Sequence, residues 1–198
     1  VDLADVRPLV GGTISGAARN QDTFSIRGFA VQESYLDGFR DVVEWGGGDF
    51  VHVQQLEIIK GPSSNLYGNP KGLGGIINRI SKTPRTTQWQ QVSLTIGDYA
   101  NYHFTADVTG PITSDKKLLY RVNAAYRNLE YNRDFKDLER TFVAPVFEWR
   151  LTPATKISLL TEVLRQDYQE DNWIPSALIA PGVRALTVPE TRRIDEPW

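Results

Sequence analysis

The sequence contains no cysteine and no methionine among its 198 residues, and it has only two histidines. Without cysteine, the chain can form neither a disulfide framework nor a thiolate metal site. His52 and His103 lie far apart with no ligand spacing around either, so we expect no metal site. Lysine and arginine (22) do not outnumber aspartate and glutamate (24), so no basic surplus favours nucleic acid as a partner.

Long apolar runs are also missing, because no stretch of about 18 apolar residues is present to form a transmembrane helix. The strands of a membrane β-barrel are shorter and alternate, so this absence leaves a barrel open. The chain begins at Val1 without a signal peptide, and we expect a mature product, a fragment, or both. Apolar residues (40%) and charged residues (23%) are at ordinary levels for folded protein.

A turn-rich segment lies at the centre of the first half of the chain. Two short apolar runs, residues 56–59 and 75–80, flank a stretch packed with glycine, proline, serine and asparagine. Runs this short favour strands over helices, and the residues between them favour tight turns. A phosphate-binding loop would need Gly-Lys-Ser/Thr after its glycines, but here Lys71 precedes Gly72. The segment therefore predicts turns between strands, not a nucleotide site.

Residues 1–85 are predicted to form a small mixed body of strands, short helices and loops. Helical spacing covers residues 3–10, and a helical turn is expected at 65–68. Strands are expected at residues 24–28, 35–38, 56–60 and 75–81, the second ending in an Asp-Gly turn. We predict a flexible loop over residues 39–49, which holds Trp45, and a short helix or turn over 51–55.

From residue 88 onward the hydrophobic period becomes two, which is typical of β-strands. Five strands of about ten residues are predicted, joined by connections at residues 97–101, 110–117, 129–139 and 151–155. The alternation and the polar connections together predict an antiparallel meander with one apolar and one polar face. A soluble β-sandwich alternates in the same way, but long strands with aromatic residues near their ends favour a membrane barrel. After Arg165, four prolines and no clear strand predict a long surface loop.

Four motifs occur in a recognisable order: residues 25–29 (SIRGF), 35–38 (YLDG), 56–68 (LEIIKGPSSNLYG) and 74–84 (GGIINRISKTP). Together they resemble the plug domain of TonB-dependent outer-membrane receptors, in the ferric-siderophore branch. The similarity covers about residues 1–85 and continues into residues 142–149 (FVAPVFEW) and 172–175 (NWIP).

This resemblance implies a fold in two parts. Residues 1–85 would be an α+β plug domain, a small mixed β-sheet with short helices whose N-terminal part is incomplete. Residues 86–198 would supply about the first five strands of an antiparallel transmembrane β-barrel, followed by a long extracellular loop. The whole would be a fragment of a larger plugged barrel of about 22 strands.

The resemblance also implies a function. It predicts a receptor in the outer membrane of a Gram-negative bacterium, contacting outer-membrane lipid and taking up a ferric siderophore as its ligand. The TonB complex would supply the energy through a segment that is not in this chain. No nucleic acid and no bound cofactor other than the ligand is expected. A receptor for cobalamin or a glycan, and a soluble β-rich binding or adhesion module, remain alternatives.

Candidate site residues come from the plug apices and the lumen-facing loops that the resemblance implies. The predicted ligand-binding residues are Arg19, Gln32, Glu33, Trp45 and Trp173. Arg27 and Glu57 lie in family motifs and are predicted to latch the plug to the barrel through charge pairs. No catalytic constellation is found, since Ser63 and Ser64 lack a nucleophile elbow, and no enzymatic activity is expected.

Overall fold

The computed structural model of the chain describes residues 24–26, 29–31, 34–41, 49–60, 75–130 and 137–168. These residues form twelve strands in three sheets. Among the described residues, no helix is long and apolar enough to cross a membrane. The helix predicted over residues 3–10 and the helical turn at 65–68 lie outside the described residues.

The first two sheets lie in the part of the chain predicted to be the plug. One pairs β1 (Phe24–Ile26) with β2 (Phe29–Val31). The other has the order β4-β3-β6-β5 and is formed by β3 (Ser34–Leu36), β4 (Phe39–Asp41), β5 (Val53–Lys60) and β6 (Gly75–Ser81). Strands β3 and β6 are parallel and the other neighbours antiparallel, so the predicted mixed sheet is confirmed.

The Asp-Gly turn forms as predicted and extends the sheet further than expected. Asp37 and Gly38 both have positive φ, 51° and 84°, which is the geometry of a two-residue hairpin turn. Such a turn aligns the residues that follow it against the preceding strand, so Arg40 pairs with Tyr35. The prediction of a loop from residue 39 was therefore wrong at its start, where β4 forms. The helix or turn predicted at residues 51–55 is a turn at Val51 and His52 only, because β5 begins at Val53.

Strands β5 and β6 approach each other closely at Gly75. This residue has φ 142°, and a Cβ placed there would collide with the backbone oxygen of Ile59. The φ value and the close approach both require glycine. Ile76, which follows, is fully buried.

A wall of six antiparallel strands follows the plug sheets. Its strands are β7 (Trp89–Gly97), β8 (Asn101–Pro111), β9 (Leu118–Glu130), β10 (Asp137–Thr152), β11 (Thr155–Leu160) and β12 (Val163–Tyr168). Each of the first four pairs with the next, and β11 and β12 both pair with β10. The predicted meander is confirmed, with connections at the predicted places.

Strands β11 and β12 are two halves of one predicted strand. Leu160 pairs with Val146 and Val163 with Val143, so the register against β10 is continuous across the gap. Pro145 lies between these partners on β10. Its backbone oxygen accepts from the Thr161 N–H at 3.1 Å, but proline has no N–H to return the bond. The ladder is interrupted there for this reason.

The outer face of the wall is apolar and exposed, whereas its inner face buries charged and polar residues beside a few apolar ones, unlike a soluble sheet. Apolar and aromatic side chains of one face are exposed, among them Leu94 at 61%. The opposite face buries charged and polar residues, including Asp107, Arg121, Asn123 and Glu148. The exposed set is Val92, Leu94, Ile96, Tyr102, Phe104, Tyr126, Phe147, Trp149, Leu151, Ile157, Leu159 and Val163. This inversion fits a wall whose outer face meets an apolar medium, and it disfavours the soluble sandwich.

The first prediction concerns Gly75. Replacing it with alanine should lower the free energy of local opening of β5 and β6 by about 1–3 kcal/mol. A side chain at this φ is strained, and it also collides with the backbone. Hydrogen exchange of the β5 and β6 amides in the full-length protein measures the effect. Gly38→Ala is the matched control, since Gly38 also has positive φ but nothing within 4 Å of its added Cβ. Equal effects of the two changes would contradict the proposed collision.

A second prediction tests the inverted wall with two neighbouring residues on β7. Leu94→Arg should destabilise the inserted protein by about 2–4 kcal/mol, the cost of a cation on a lipid-facing strand. Ser93→Arg places the same charge on the opposite face and should be tolerated. The measurement is the yield of folded protein in lipid vesicles. The inversion is refuted if Ser93→Arg is the more damaging change.

Candidate functional site at the plug–wall interface

The segment that joins the plug sheets to the wall is fastened by a buried carboxylate. Asp107, on the inner face of β8, is 4% exposed. It accepts two hydrogen bonds from Arg121, at 2.9 and 2.8 Å, and a third from Lys82 Nζ at 2.8 Å. Arg121 also donates to the backbone oxygen of Thr83 at 2.9 Å. The buried aspartate is thus paired on both oxygens, as burial of a charge requires.

Asn123, on β9, completes this group. With its amide nitrogen turned toward the available acceptors, it lies 3.1 Å from Asp107 Oδ2 and 3.2 Å from the backbone oxygen of Val51. It therefore connects the wall to the plug as well as to the aspartate. We call Lys82, Asp107, Arg121 and Asn123 the linker pin.

The contacts continue to the start of the wall. The Arg85 N–H donates to Thr109 Oγ1 at 2.9 Å, and that hydroxyl donates to the backbone oxygen of Tyr120 at 2.8 Å. The Arg85 guanidinium lies 4.5 Å from the centre of the Trp89 ring, within range of a cation–π contact. The whole connecting segment is therefore held against β8 and β9.

A second contact is made by the turn before β5. The Asp49 carboxylate accepts from the Val51 N–H at 2.9 Å, and the Phe50 oxygen accepts from the Val53 N–H at 2.9 Å. This turn projects Val51 and His52 toward the wall. Val51 packs against a small apolar cluster on the inner face, formed by Ala125, Phe142 and Ala144.

His52 lies at the centre of this second contact and is 1% exposed. Its ring centre is 4.9 Å from that of Phe142 on β10. Its Nε2 is 2.9 Å from Glu162 Oε1, in the break between β11 and β12. The His52 side chain is buried at this contact, and that of Glu162 is partly exposed. We call His52 and Glu162 the wall latch.

Arg79 brings a plug cation to the same place. It lies on β6, is buried, and its guanidinium is 6.0 Å from the centre of the Phe50 ring. Burial lowers the pKa of the Arg79 guanidinium, while the charges of Glu162 and Asp37 act in the opposite direction. The latch carboxylate is therefore attracted by a plug arginine as well as approached by His52.

A third plug–wall contact joins the turn to β8. His103 Nε2 lies 3.3 Å from Asp49 Oδ2, and the Asp49 side chain is buried. Asp49 thus has two roles, because its other oxygen holds the turn that presents His52.

Inside the plug, polar contacts hold the sheet to itself. The Asp37 carboxylate accepts from the Ser81 N–H at 2.9 Å and from the Ser81 hydroxyl at 2.5 Å. Asn78 accepts from the Gly38 N–H at 3.0 Å and donates to Glu57 Oε2 at 3.0 Å. These bonds fix the hairpin of β3 and β4 to the end of β6.

Of the seven predicted site residues, the structure describes Glu57. It lies on β5, directly opposite Asn78 of β6, and its described hydrogen bond stays within the plug. Its predicted role as a latch to the barrel stays a prediction. The others lie outside the described residues, so their placement also stays predicted: Arg19, Arg27, Gln32, Glu33, Trp45 and Trp173.

The residues that do join plug and wall were not found from the sequence. His52 and Glu162 belong to no motif and are distant along the chain. A usable signal existed on the wall, since Asp107, Arg121 and Asn123 occupy inward positions of alternating strands. A charge at such a position needs a partner, on a neighbouring strand or on the plug.

A small mixed sheet tied by polar contacts to the inner, charged face of an antiparallel wall is the arrangement of a plugged outer-membrane barrel. Residues 2–76 match the family model for the TonB-dependent Receptor Plug Domain. These residues therefore belong to the TonB-dependent receptor plug family, as the motifs predict.

Similar proteins agree with this assignment. The chain is 32% identical over 149 residues to the metal-pseudopaline receptor CntO of Pseudomonas aeruginosa, covering 75% of this chain and 20% of the relative. It is 32% identical over 165 residues to the ferrioxamine receptor of Yersinia enterocolitica, covering 79% and 22%. The closed form of the ferric-catecholate import receptor Fiu of E. coli K12 aligns with TM-score 0.72 at 30% identity, covering 83% of this chain and 24% of that chain. The chain thus spans about a fifth of the length of the curated relatives.

A third prediction concerns the linker pin. Asp107→Asn removes the charge that pairs Arg121 and Lys82, and leaving buried cations without a counter-charge costs about 3–5 kcal/mol. Residues 82–86 should become sensitive to protease and should exchange amide hydrogens faster in the full-length receptor.

The control for the linker pin is Asp115→Asn, an equal change in an exposed turn. Asp115 accepts from the Thr113 hydroxyl at 2.6 Å, a bond that lowers its pKa, but it touches no plug residue in the described contacts. Unchanged exchange of residues 82–86 in Asp107→Asn would contradict the pin.

Proposed function

We propose that the protein is a receptor in the outer membrane of a Gram-negative bacterium that imports a ferric siderophore with energy from the TonB complex. The observation that carries this proposal is the inverted wall with a plug sheet tied to its inner face. Such a plug obstructs the lumen, so passage of a ligand requires the plug to shift. The relatives include a ferrioxamine receptor and a ferric-catecholate import receptor, which supports this class of ligand.

The partners follow from the same architecture. The exposed apolar face of the wall is proposed to contact outer-membrane lipid. Energy is proposed to arrive through a TonB-binding segment in the whole protein. The ligand is proposed to bind on the extracellular side of the plug, at Arg19, Gln32, Glu33, Trp45 and Trp173. Aromatic residues suit such a site because they provide rigid apolar area with a polar group.

A second ligand class is favoured by one relative. The receptor CntO is named for metal-pseudopaline, so a metal–pseudopaline complex is the alternative cargo. Cobalamin and glycans are the remaining alternatives from the sequence. These classes differ in metal and in charge, which allows one binding assay to separate them.

A fourth prediction tests the ligand site in the full-length receptor. Trp45→Ala and Trp173→Ala should each weaken binding of a ferric hydroxamate or ferric catecholate by about tenfold, the loss expected for an aromatic anchor. Binding is measured by quenching of tryptophan fluorescence, with the metal-free chelator, metal-loaded pseudopaline and cobalamin as comparisons.

The control for the ligand site is Trp149→Phe, because Trp149 is exposed on the outer face of the wall. It should bind as tightly as the unchanged receptor. If no ferric chelate binds, or if cobalamin or metal-loaded pseudopaline binds best, the ferric-siderophore proposal fails. If ferric chelates bind but neither substitution matters, only the residue assignment fails.

A further inference from the structure

The strand register of the wall aligns one inward-facing residue from each of five strands in a single transverse row. Thr95 of β7 pairs with His103 of β8, which pairs in turn with Arg127 of β9. Arg127 pairs with Arg140 of β10, which pairs with Gln166 of β12. Alternation along each strand places all five on the face that carries the linker pin and meets the plug. We call Thr95, His103, Arg127, Arg140 and Gln166 the cation row.

The inner face of the wall supplies no negative charge close to this row. Arg127 and Arg140 are directly opposite each other, and like charges in that position destabilise a sheet unless other groups compensate. The two neighbouring rows of inward residues run from Ser93 to Leu164 and from Gly97 to Tyr168, and no residue in them is charged. A negative charge that balances the row therefore comes from the plug, from a connecting loop or from a ligand.

The plug supplies one such charge through Asp49. Its Oδ2 lies 3.3 Å from His103 Nε2, and the Asp49 side chain is buried at this contact. Its Oδ1 accepts from the Val51 N–H at 2.9 Å, so the plug's own turn fixes the position of the carboxylate. A shift of the plug therefore withdraws this carboxylate from the row, because the carboxylate moves with the turn that holds it.

The row also offers donors that an anion in the lumen could use. Arg140 Nε donates to Gln166 Oε1 at 2.8 Å, and the Gln166 Nε2 is buried with no acceptor among the described residues. A ligand oxygen at this donor would remove the cost of leaving it without a partner. Both arginines and His103 are only partly buried, so a molecule in the lumen can reach them. Guanidinium groups suit paired anionic oxygens, which they bind with two parallel hydrogen bonds.

We propose that the cation row is a second binding site for the transported metal chelate, reached when the plug shifts, and that the chelate it accepts is anionic. In the closed receptor, the Asp49 carboxylate occupies the row at His103. After the shift, catecholate or carboxylate oxygens of the chelate take the place of that carboxylate, and the chelate is held in the lumen. This inference rests on the proposed transport function and narrows its ligand to anionic chelates.

The test compares two probes of different charge in the full-length receptor. A ferric tris-catecholate complex is anionic, whereas a ferric trihydroxamate complex is neutral. Arg127→Gln and Arg140→Gln should each lower energised uptake of the catecholate complex at saturating concentration by about tenfold, the effect of losing one hydrogen bond to a charged group. Uptake of the trihydroxamate complex should change by less than about twofold. The affinity of either complex without energy, measured by tryptophan quenching, should stay unchanged, because Asp49 occupies the row until the plug shifts.

Two controls separate the row from general effects of charge. Arg165→Gln removes a cation next to Gln166 in sequence, but the Arg165 side chain is 85% exposed on the outer face, so uptake of both complexes should be unchanged. Thr95→Glu adds an acid at an exposed position of the row and should also lower uptake of the catecholate complex selectively. Thr95→Gln, of the same size but without charge, should not.

Equal loss of both complexes in the arginine variants overturns the proposal, as does catecholate uptake that survives these changes and Thr95→Glu. If the arginine variants fail to fold, the comparison of Thr95→Glu with Thr95→Gln decides. An unchanged receptor that imports the trihydroxamate complex but not the catecholate complex also overturns the proposal, while the proposed function then stands. A receptor that imports neither complex counts against the proposed function, and the cation row loses its role with it.

Discussion

The structure depends on the inward orientation of charge in the wall. When apolar side chains such as Leu94 face outward, alternation places Asp107, Arg121 and Glu148 on the inside. A charge buried there is stable only beside an opposite charge or enough hydrogen-bond donors. Glu148 finds these within the wall, from Arg150 and Lys156. Asp107 takes one donor from the plug segment, so this carboxylate has all its donors only with the plug in place.

This dependence also fixes the orientation of the plug. Arg121 binds the carboxylate of Asp107 and the backbone oxygen of Thr83 with one planar guanidinium, a fork that tolerates little rotation. Asn123 reaches the Val51 oxygen from the next inward position of the same strand. Two neighbouring inward positions of β9 therefore hold two segments of the plug. The strand register of the wall thus fixes which plug residues contact it.

Local features could be predicted from the sequence, and distant contacts could not. The bounds of β6 and the Asp37–Gly38 turn depend on residues within a few positions of each other, and both were predicted correctly. Strand β4 was not predicted, because the polar and glycine-rich residues that follow it favour a loop and its pairing with β3 is short. The contact between His52 and Glu162 depends on tertiary packing, and neither residue carries a motif. Pro145 gave a signal for the break beside Glu162, since proline inside a paired strand removes a ladder bond.

The contacts between plug and wall converge on one small region. The Lys82 N–H donates to the His52 oxygen at 2.8 Å, so the linker and the turn before β5 are tied to each other as well as to the wall. Asn123 reaches the Val51 oxygen of that turn, and His52 Nε2 lies 2.9 Å from Glu162. Because buried polar groups of plug and wall share these partners, removal of any one of them leaves others without a partner. The plug is therefore held in a single position against β8, β9 and the break between β11 and β12.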